Sequence, residues 1–267
     1  MIGASPVSGR AEAVEEYISE ESRGLDTGFG AIDYGFRGLS GLVVVGGPPG
    51  RGKSTFVLNV AQNVSWMDNG PVIFYDTENG AEFVVAKLVA RHHNTTIEAL
   101  RAMENGQRTE KIGDALDSLK DFFLDGDLSQ MELDSIEETI KNQKPSLVVF
   151  DSLQKLPAQI EAPRRQQVDD WLRFMERMTN QHKCTILCTS ELSRGTNDAP
   201  FYKVPDLRAL KESGGIEYAA ATVIFILDTK DPSIKQFTCG KHRFGPPRNI
   251  GRYSMANFHK WEWQEVQ

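Results

Sequence analysis

Five short runs, LVVVG at 42–46, VIFYD at 72–76, LVVFD at 147–151, TILCTS at 185–190 and ATVIFIL at 221–227, are rich in strand formers but show no regular apolar–polar alternation. A strand with one face in water alternates. Runs that do not are buried on both faces, the condition of strands in a parallel sheet covered by helices on either side. The segments between them are patterned for helices: Lys53–Met67, Ala81–His92, a helical region to about Lys120, Gln130–Asn142 and Gln166–Gln181, with SQME at 129–132 as a capping box supporting the start of the fourth. FFLDG at 122–126 adds a strand, and QFTCGK at 236–241 is expected to form a hairpin with GRYSMA at 251–256. With 267 residues, 40% hydrophobic and including 14 Phe and 4 Trp, the chain can bury one sizeable core rather than two small ones. The fold class expected is α/β, a mostly parallel sheet flanked by helices.

At the front, residues 1–10 read as a tail and Ala11–Glu21 as a short amphipathic helix, with Val14, Tyr17 and Ile18 on one face among five glutamates. Ala158–Arg165 and Ser193–Pro205, both with turn formers and basic residues, are expected to be the least ordered stretches.

The first strand runs directly into GPPGRGKST, residues 47–55. This satisfies the phosphate-loop pattern G-x-x-x-x-G-K-[ST] with Gly47, Gly52, Lys53 and Ser54, followed by Thr55, and Gly50 is an extra glycine inside the loop. Glycines let successive backbone N–H groups turn onto a β-phosphate, and the following helix adds its positive end. Lys53 neutralises the β/γ oxygens and Ser54 ligates Mg²⁺, so ATP and Mg²⁺ are the expected cofactors.

Hydrolysis needs a carboxylate for the magnesium shell. LVVFD supplies one in Asp151, at the end of a buried strand. A further acid is available in VIFYDTEN, where Asp76 and Glu78 lie on the same side of the strand end, and either could polarise the attacking water. From these residues alone the choice stays open.

A net charge of −7 argues against a generally basic nucleic-acid coat but leaves room for a local basic groove. The start shows no apolar leader and no window reaches the length of a membrane span, so a soluble cytoplasmic protein without membrane contact is expected. Cys184, Cys188 and Cys239 fit neither a zinc pair nor a disulfide framework and read as buried reduced thiols. No histidine, including His92 and His93, has partners at metal-ligand spacing along the chain, so no metal site is assigned to them.

The ordered series TGFGAIDYGFRGL, GPPGRGKST, YDTEN, LVVFDSLQ, RRQQVDDW, TSELSR, LKESGGIE and KHRFGP resembles the C-terminal motor domain of DnaB-family replicative helicases, over about residues 24–260. The resemblance implies a RecA-like P-loop NTPase, working as a homo-oligomer, a hexameric ring whose ATP sites lie between subunits. It implies domains of 1–23, a tail and linker-type helix, and 24–267, the motor. Lys53 and Ser54 match the P-loop lysine and magnesium hydroxyl, Asp151 the second-strand acid and Glu78 the catalytic glutamate, in preference to Asp76. Lys241 and Arg243 match the pair that a neighbouring subunit inserts toward the γ-phosphate, with Arg243 the arginine finger. LKESGGIE resembles the pore loop that grips single-stranded DNA, which assigns Lys211, Glu212 and Gly214 to DNA. Arg164, Arg165 and Arg194 are second-rank DNA contacts, and a primase or a loader is a further expected partner.

Two departures stand out. Where the family usually has glutamine in S-Q-L-S-R, this chain has Glu191, an anion near the expected γ-phosphate sensor. No stretch of this sequence is expected to match the helical N-terminal domain of the family, and Ala11–Glu21 is expected in the place of its linker helix. The rival readings are a RecA/RadA-type recombination ATPase and a weakly hydrolysing NTP-binding assembly or loader subunit.

Overall fold

The computed structural model describes residues 11–18, 24–126, 132–158, 161–192, 204–210, 214–246, 249–254 and 262–266. Arg194, Lys211 and Glu212, the tail at 1–10 and the Ser129 end of the capping box lie outside the described residues.

One nine-stranded sheet organises the chain. Its strands are β1 (Leu42–Gly47), β2 (Val72–Asp76), β3 (Phe122–Asp125), β4 (Leu147–Asp151), β5 (Thr185–Glu191), β6 (Thr222–Asp228), β7 (Ile234–His242), β8 (Asn249–Ser254) and β9 (Gln264–Glu265). They lie in the order β3-β2-β4-β5-β1-β6-β7-β8-β9. Pairing is parallel from β3 to β6 and antiparallel from β6 to β9. The sheet is therefore mixed, with the expected hairpin extending the parallel half by an antiparallel flank.

Alternate residues of the central strands feed two cores. Leu42 and Val44, Val148 and Phe150, and Ile186 and Cys188 enter one, with Trp171, Met175 and Met178. Val43 and Val45, Leu147 and Val149, and Leu187 enter the other, with Phe56, Val57 and Val60. Both faces are dry, which is why these runs show no polar alternation.

The helices are α1 (Ala11–Ile18), α2 (Gly30–Gly35), α3 (Lys53–Trp66), α4 (Ala81–His92), α5 (Ile97–Ala102), α6 (Asn105–Asp117), α7 (Leu133–Gln143), α8 (Arg164–His182) and α9 (Ile216–Ala219). Three boundaries differ from expectation. The helical region to Lys120 is two helices with a break at Met103, which has extended backbone. α7 begins at Leu133, so Glu132 is its N-cap residue instead of an internal one, and its side chain makes no capping bond. α8 starts two residues early behind Pro163, which brings Arg164 and Arg165 into its first turn and out of the expected loop. Val14 and Ile18 of α1 are exposed.

Candidate active site

The strand order places β1 between β5 and β6, while the chain leaving β1 crosses to β2 on the far side of β4 and β5. Loops at the carboxyl ends of neighbouring strands then diverge, which opens a crevice there. The register aligns what those ends carry: Gly47 pairs with Glu191 and Asp76 with Asp151. The resulting cleft, about 260 Å³, is lined by Gly50, Gly52, Lys53, Ser54 and Thr55 from the loop, together with Glu78, Lys87, Asp151, Thr189 and Glu191.

Gly50 and Gly52 have φ of 71° and 81°, a left-handed backbone open to glycine at little cost. Gly52 delivers the chain into α3, whose first residue is Lys53. Lys53 is buried, and its ammonium donates to the carbonyls of Gly47 and Pro48, both at 3.0 Å. Burial lowers its pKa, while Asp151, Glu191 and Glu78 pull it back up. Glu191 thus has a cation within electrostatic reach, the pairing that makes an acid tolerable at this position. Arg51, the arginine of the loop, is drawn aside to Asp228 at 2.8 Å.

Asp151 is buried, and its carboxylate accepts from Thr189 Oγ1 at 2.5 Å and from the Ser54 hydroxyl. Two hydroxyls are weak compensation for a buried charge, and desolvation raises its pKa to about 6. A buried carboxylate and a serine hydroxyl side by side at a phosphate loop are oxygen donors suited to Mg²⁺, so the residues present fit the metal.

A raised folded pKa means that the folded chain keeps a proton which the unfolded chain releases, so stability falls as pH rises from about 4 to about 6 and stays reduced above. Asp151→Asn should remove this term. The difference in urea unfolding free energy between variant and wild type, without nucleotide, should grow through that window and level off on the order of 1–3 kcal/mol in favour of the variant. A difference that does not change with pH contradicts the assignment.

The two candidate bases separate in space. Asp76 is fully buried, and its carboxylate accepts from Asn79 N at 2.7 Å, Gly80 N at 2.8 Å and Asn79 Nδ2 at 3.0 Å, closing the turn into α4. Glu78 faces the cleft, its Oε1 accepting from Ser152 Oγ at 2.9 Å and lying 3.5 Å from Lys155 Nζ. Lys87 carries no motif that marks it in the sequence. It is buried on α4, lines the same cleft and interacts with Asp151, Asp76 and Glu78, against the desolvation that lowers its pKa. The only hint was a lysine among the apolar residues of AEFVVAKLVA.

The family model for the DnaB-like helicase C terminal domain matches residues 24–262. The chain belongs to this family. It is 27% identical over 254 residues to the replicative DNA helicase DnaC of Bacillus subtilis (strain 168), an alignment covering 87% of this chain and 54% of that protein. It is 26% identical over 262 residues to the replicative DNA helicase DnaB of Geobacillus stearothermophilus, covering 90% and 57%. The chain spans about half the length of these curated relatives. A solved ATPase domain superposes with a TM-score of 0.84 at 21% identity, covering 99% of this chain and all of that one. A DnaB-like replicative helicase solved to show its interactions with primase gives 0.82 at 21% identity, covering 99% of this chain and 68% of that one. The sheet and its flanking helices are the RecA-like fold of these domains.

In this DnaB-like domain Lys241 and Arg243 are not among the residues lining the cleft of their own chain. Lys241 Nζ donates to the carbonyls of Glu217 and Ala220, both at 2.6 Å, and Arg243 Nη2 to that of Tyr218 at 2.7 Å, all on or next to α9. Gly214 lies against the Arg165 guanidinium, which would collide with any β-carbon there. Arg164 turns inward, donating to the carbonyls of Gln154 at 2.7 Å and Leu156 at 2.9 Å. The expected DNA residues thus divide, with Arg165 beside the loop glycine and Arg164 committed to the chain behind β4. The three cysteines are buried and free, and burial pushes the Cys188 thiol up to about 12. Among the described residues no helix is long and apolar enough to cross a membrane.

Proposed function

We propose that this chain is the ATP-hydrolysing motor domain of a ring-forming replicative DNA helicase, moving on single-stranded DNA in the cytoplasm. The observation that carries the reading is the convergence of Lys53, Ser54, Glu78 and Asp151 on one crevice. Lys241 and Arg243 stand outside it, bonded to α9. The family resemblance assigns that basic pair to a neighbour's nucleotide, so in this reading a second copy completes the site and the working unit is a homo-oligomer, a hexameric ring.

In this proposal the P-loop backbone from Gly47 to Thr55 cradles the phosphates of ATP, and Lys53 exchanges its bonds to Gly47 and Pro48 for the β/γ oxygens. Ser54 and Asp151 hold Mg²⁺, which when bound screens the phosphate charge. Glu78 accepts the proton of the attacking water, and Arg243 and Lys241 of the next copy stabilise the charge that develops on the transferred group. The loop of Lys211, Glu212 and Gly214 meets DNA, with the Lys211 ammonium and the Gly214 N–H directed to phosphates, and Arg164, Arg165 and Arg194 are second-rank contacts. The exposed Val14–Ile18 face of α1 packs on an adjacent motor, and a primase or loader completes the assembly.

ATPase rate against protein concentration, with and without single-stranded DNA, tests the proposal. Specific activity should climb with concentration as copies associate and rise again with DNA. A constant specific activity at every dilution, unaltered by DNA, overturns it. Glu191 in the cleft supports a second reading, a nucleotide-binding loader subunit, for which ATP would bind without DNA-stimulated turnover.

A further inference from the structure

The two histidines that have no ligand-spaced neighbour in the sequence acquire one in space. α4 ends at His92, with His93 as its C-cap residue, and both rings meet Asp114 on α6. His92 Nε2 lies 3.3 Å and His93 Nε2 3.8 Å from the same oxygen, Asp114 Oδ2, and all three donor atoms fall within 4.8 Å of one another. A tetrahedral Zn²⁺ with bonds of about 2.0–2.1 Å requires donor–donor edges of about 3.4 Å. One edge already matches, the second is within half an ångström, and the third, between the two imidazoles, lies within 4.8 Å and has to close by up to about 1.4 Å as the rings turn onto the ion.

The hydrogen bonds behind His92 have the direction that metal ligation uses. Ser118 Oγ gives its hydrogen to the Ala115 carbonyl at 2.7 Å and lies 3.1 Å from His92 Nδ1. With that hydrogen committed, the serine oxygen is an acceptor for an Nδ1–H. The Nε2 lone pair is then turned toward the Asp114 carboxylate. A lone pair facing an anion at 3.3 Å is repulsive unless a positive charge, a proton or a metal ion, lies between them. His93 Nε2 lies 2.7 Å from the Lys111 carbonyl, which can only accept, so it carries a hydrogen; coordination would release that hydrogen and requires the ring to turn from the carbonyl to the ion.

We propose that His92, His93 and Asp114 form a binding site for a divalent cation of the zinc class, with Ser118 as a positioning residue. Two imidazoles and one carboxylate favour Zn²⁺ or Co²⁺ over Mg²⁺, whose preferred shell is all oxygen. The site is separate from the nucleotide cleft and shares no residue with it. Because α4 starts at Ala81, just beyond Glu78, a bound ion would fasten the far end of the helix that leaves the cleft to α6.

The test is equilibrium dialysis of the whole, tag-free chain against Zn²⁺ alone, repeated in a large excess of Mg²⁺ to saturate Ser54 and Asp151. One Zn²⁺ per chain should remain, and Co²⁺ in its place should give the visible absorption of a four-coordinate ion. Asp114→Ala and His92→Gln should each abolish this, and Ser118→Ala should weaken it about tenfold. Should the first two variants fail to fold, the Ser118 variant and the Co²⁺ spectrum still decide. Zn²⁺ retained equally by folded variants, no retention by the wild type, or an octahedral Co²⁺ spectrum overturns the proposal and leaves a proton as the bridging charge.

Discussion

Arg243→Ala is expected to lower ATP turnover about 10³-fold or more while leaving nucleotide binding to the same chain intact, because guanidinium charge supplied to a phosphoryl-transfer transition state is worth about 10³–10⁵. The separation between its side chain, bonded to the Tyr218 carbonyl of α9, and its own cleft sharpens the expectation. Mixing Arg243→Ala chains with Glu78→Gln chains should restore activity, since some junctions then pair an intact glutamate on one copy with an intact arginine on the next. Steady-state ATPase across mixing ratios should pass through a maximum at intermediate composition. A mixture that never exceeds the sum of its parts would mean that both residues serve one chain.

The second large effect concerns two acids two residues apart. Glu78→Gln should cut turnover by about 10²–10⁴ with ATP affinity nearly unchanged, the range expected for loss of a positioned base. Asp76→Asn should act differently. Its carboxylate accepts three hydrogen bonds that shape the turn into α4, and an amide offers one oxygen in place of two. Leaving a buried donor unsatisfied costs about 1–3 kcal/mol, so this variant should lose stability, with a smaller loss of rate. Calorimetric melting beside single-turnover hydrolysis distinguishes the pair, and the reverse pattern would exchange their roles.

Asp151 is legible in the sequence because it ends an unbroken apolar run, and a parallel sheet gathers such ends on one edge. Lys53 and Ser54 are legible from the spacing of the glycine loop, whereas apolar runs alone do not separate Glu78 from Asp76. What escaped notice depends on proximity between distant segments. Lys87 enters the cleft from a helix face, and its pattern is that of an ordinary amphipathic lysine. Asp114 reaches His92 only because α6 folds back along α4. The strand QFTCGK runs antiparallel to β6 because residues 229–233 alone join the two, too few for the crossover that parallel neighbours need, a constraint that lies in the link's length and not in the apolar content of either strand. Arg164 looked like a loop cation, but a helix beginning behind Pro163 turned it onto backbone carbonyls.

α9 is one helical turn gripped at both ends. Its leading glycines lie against Arg165 and Asp169 of α8, and its trailing carbonyls are clasped by Lys241 and Arg243. Those two cations cannot hold these oxygens and a phosphate at once. So short a turn has few internal bonds of its own, and α9 therefore owes its position to α8 at its leading end and to the basic pair at its trailing end.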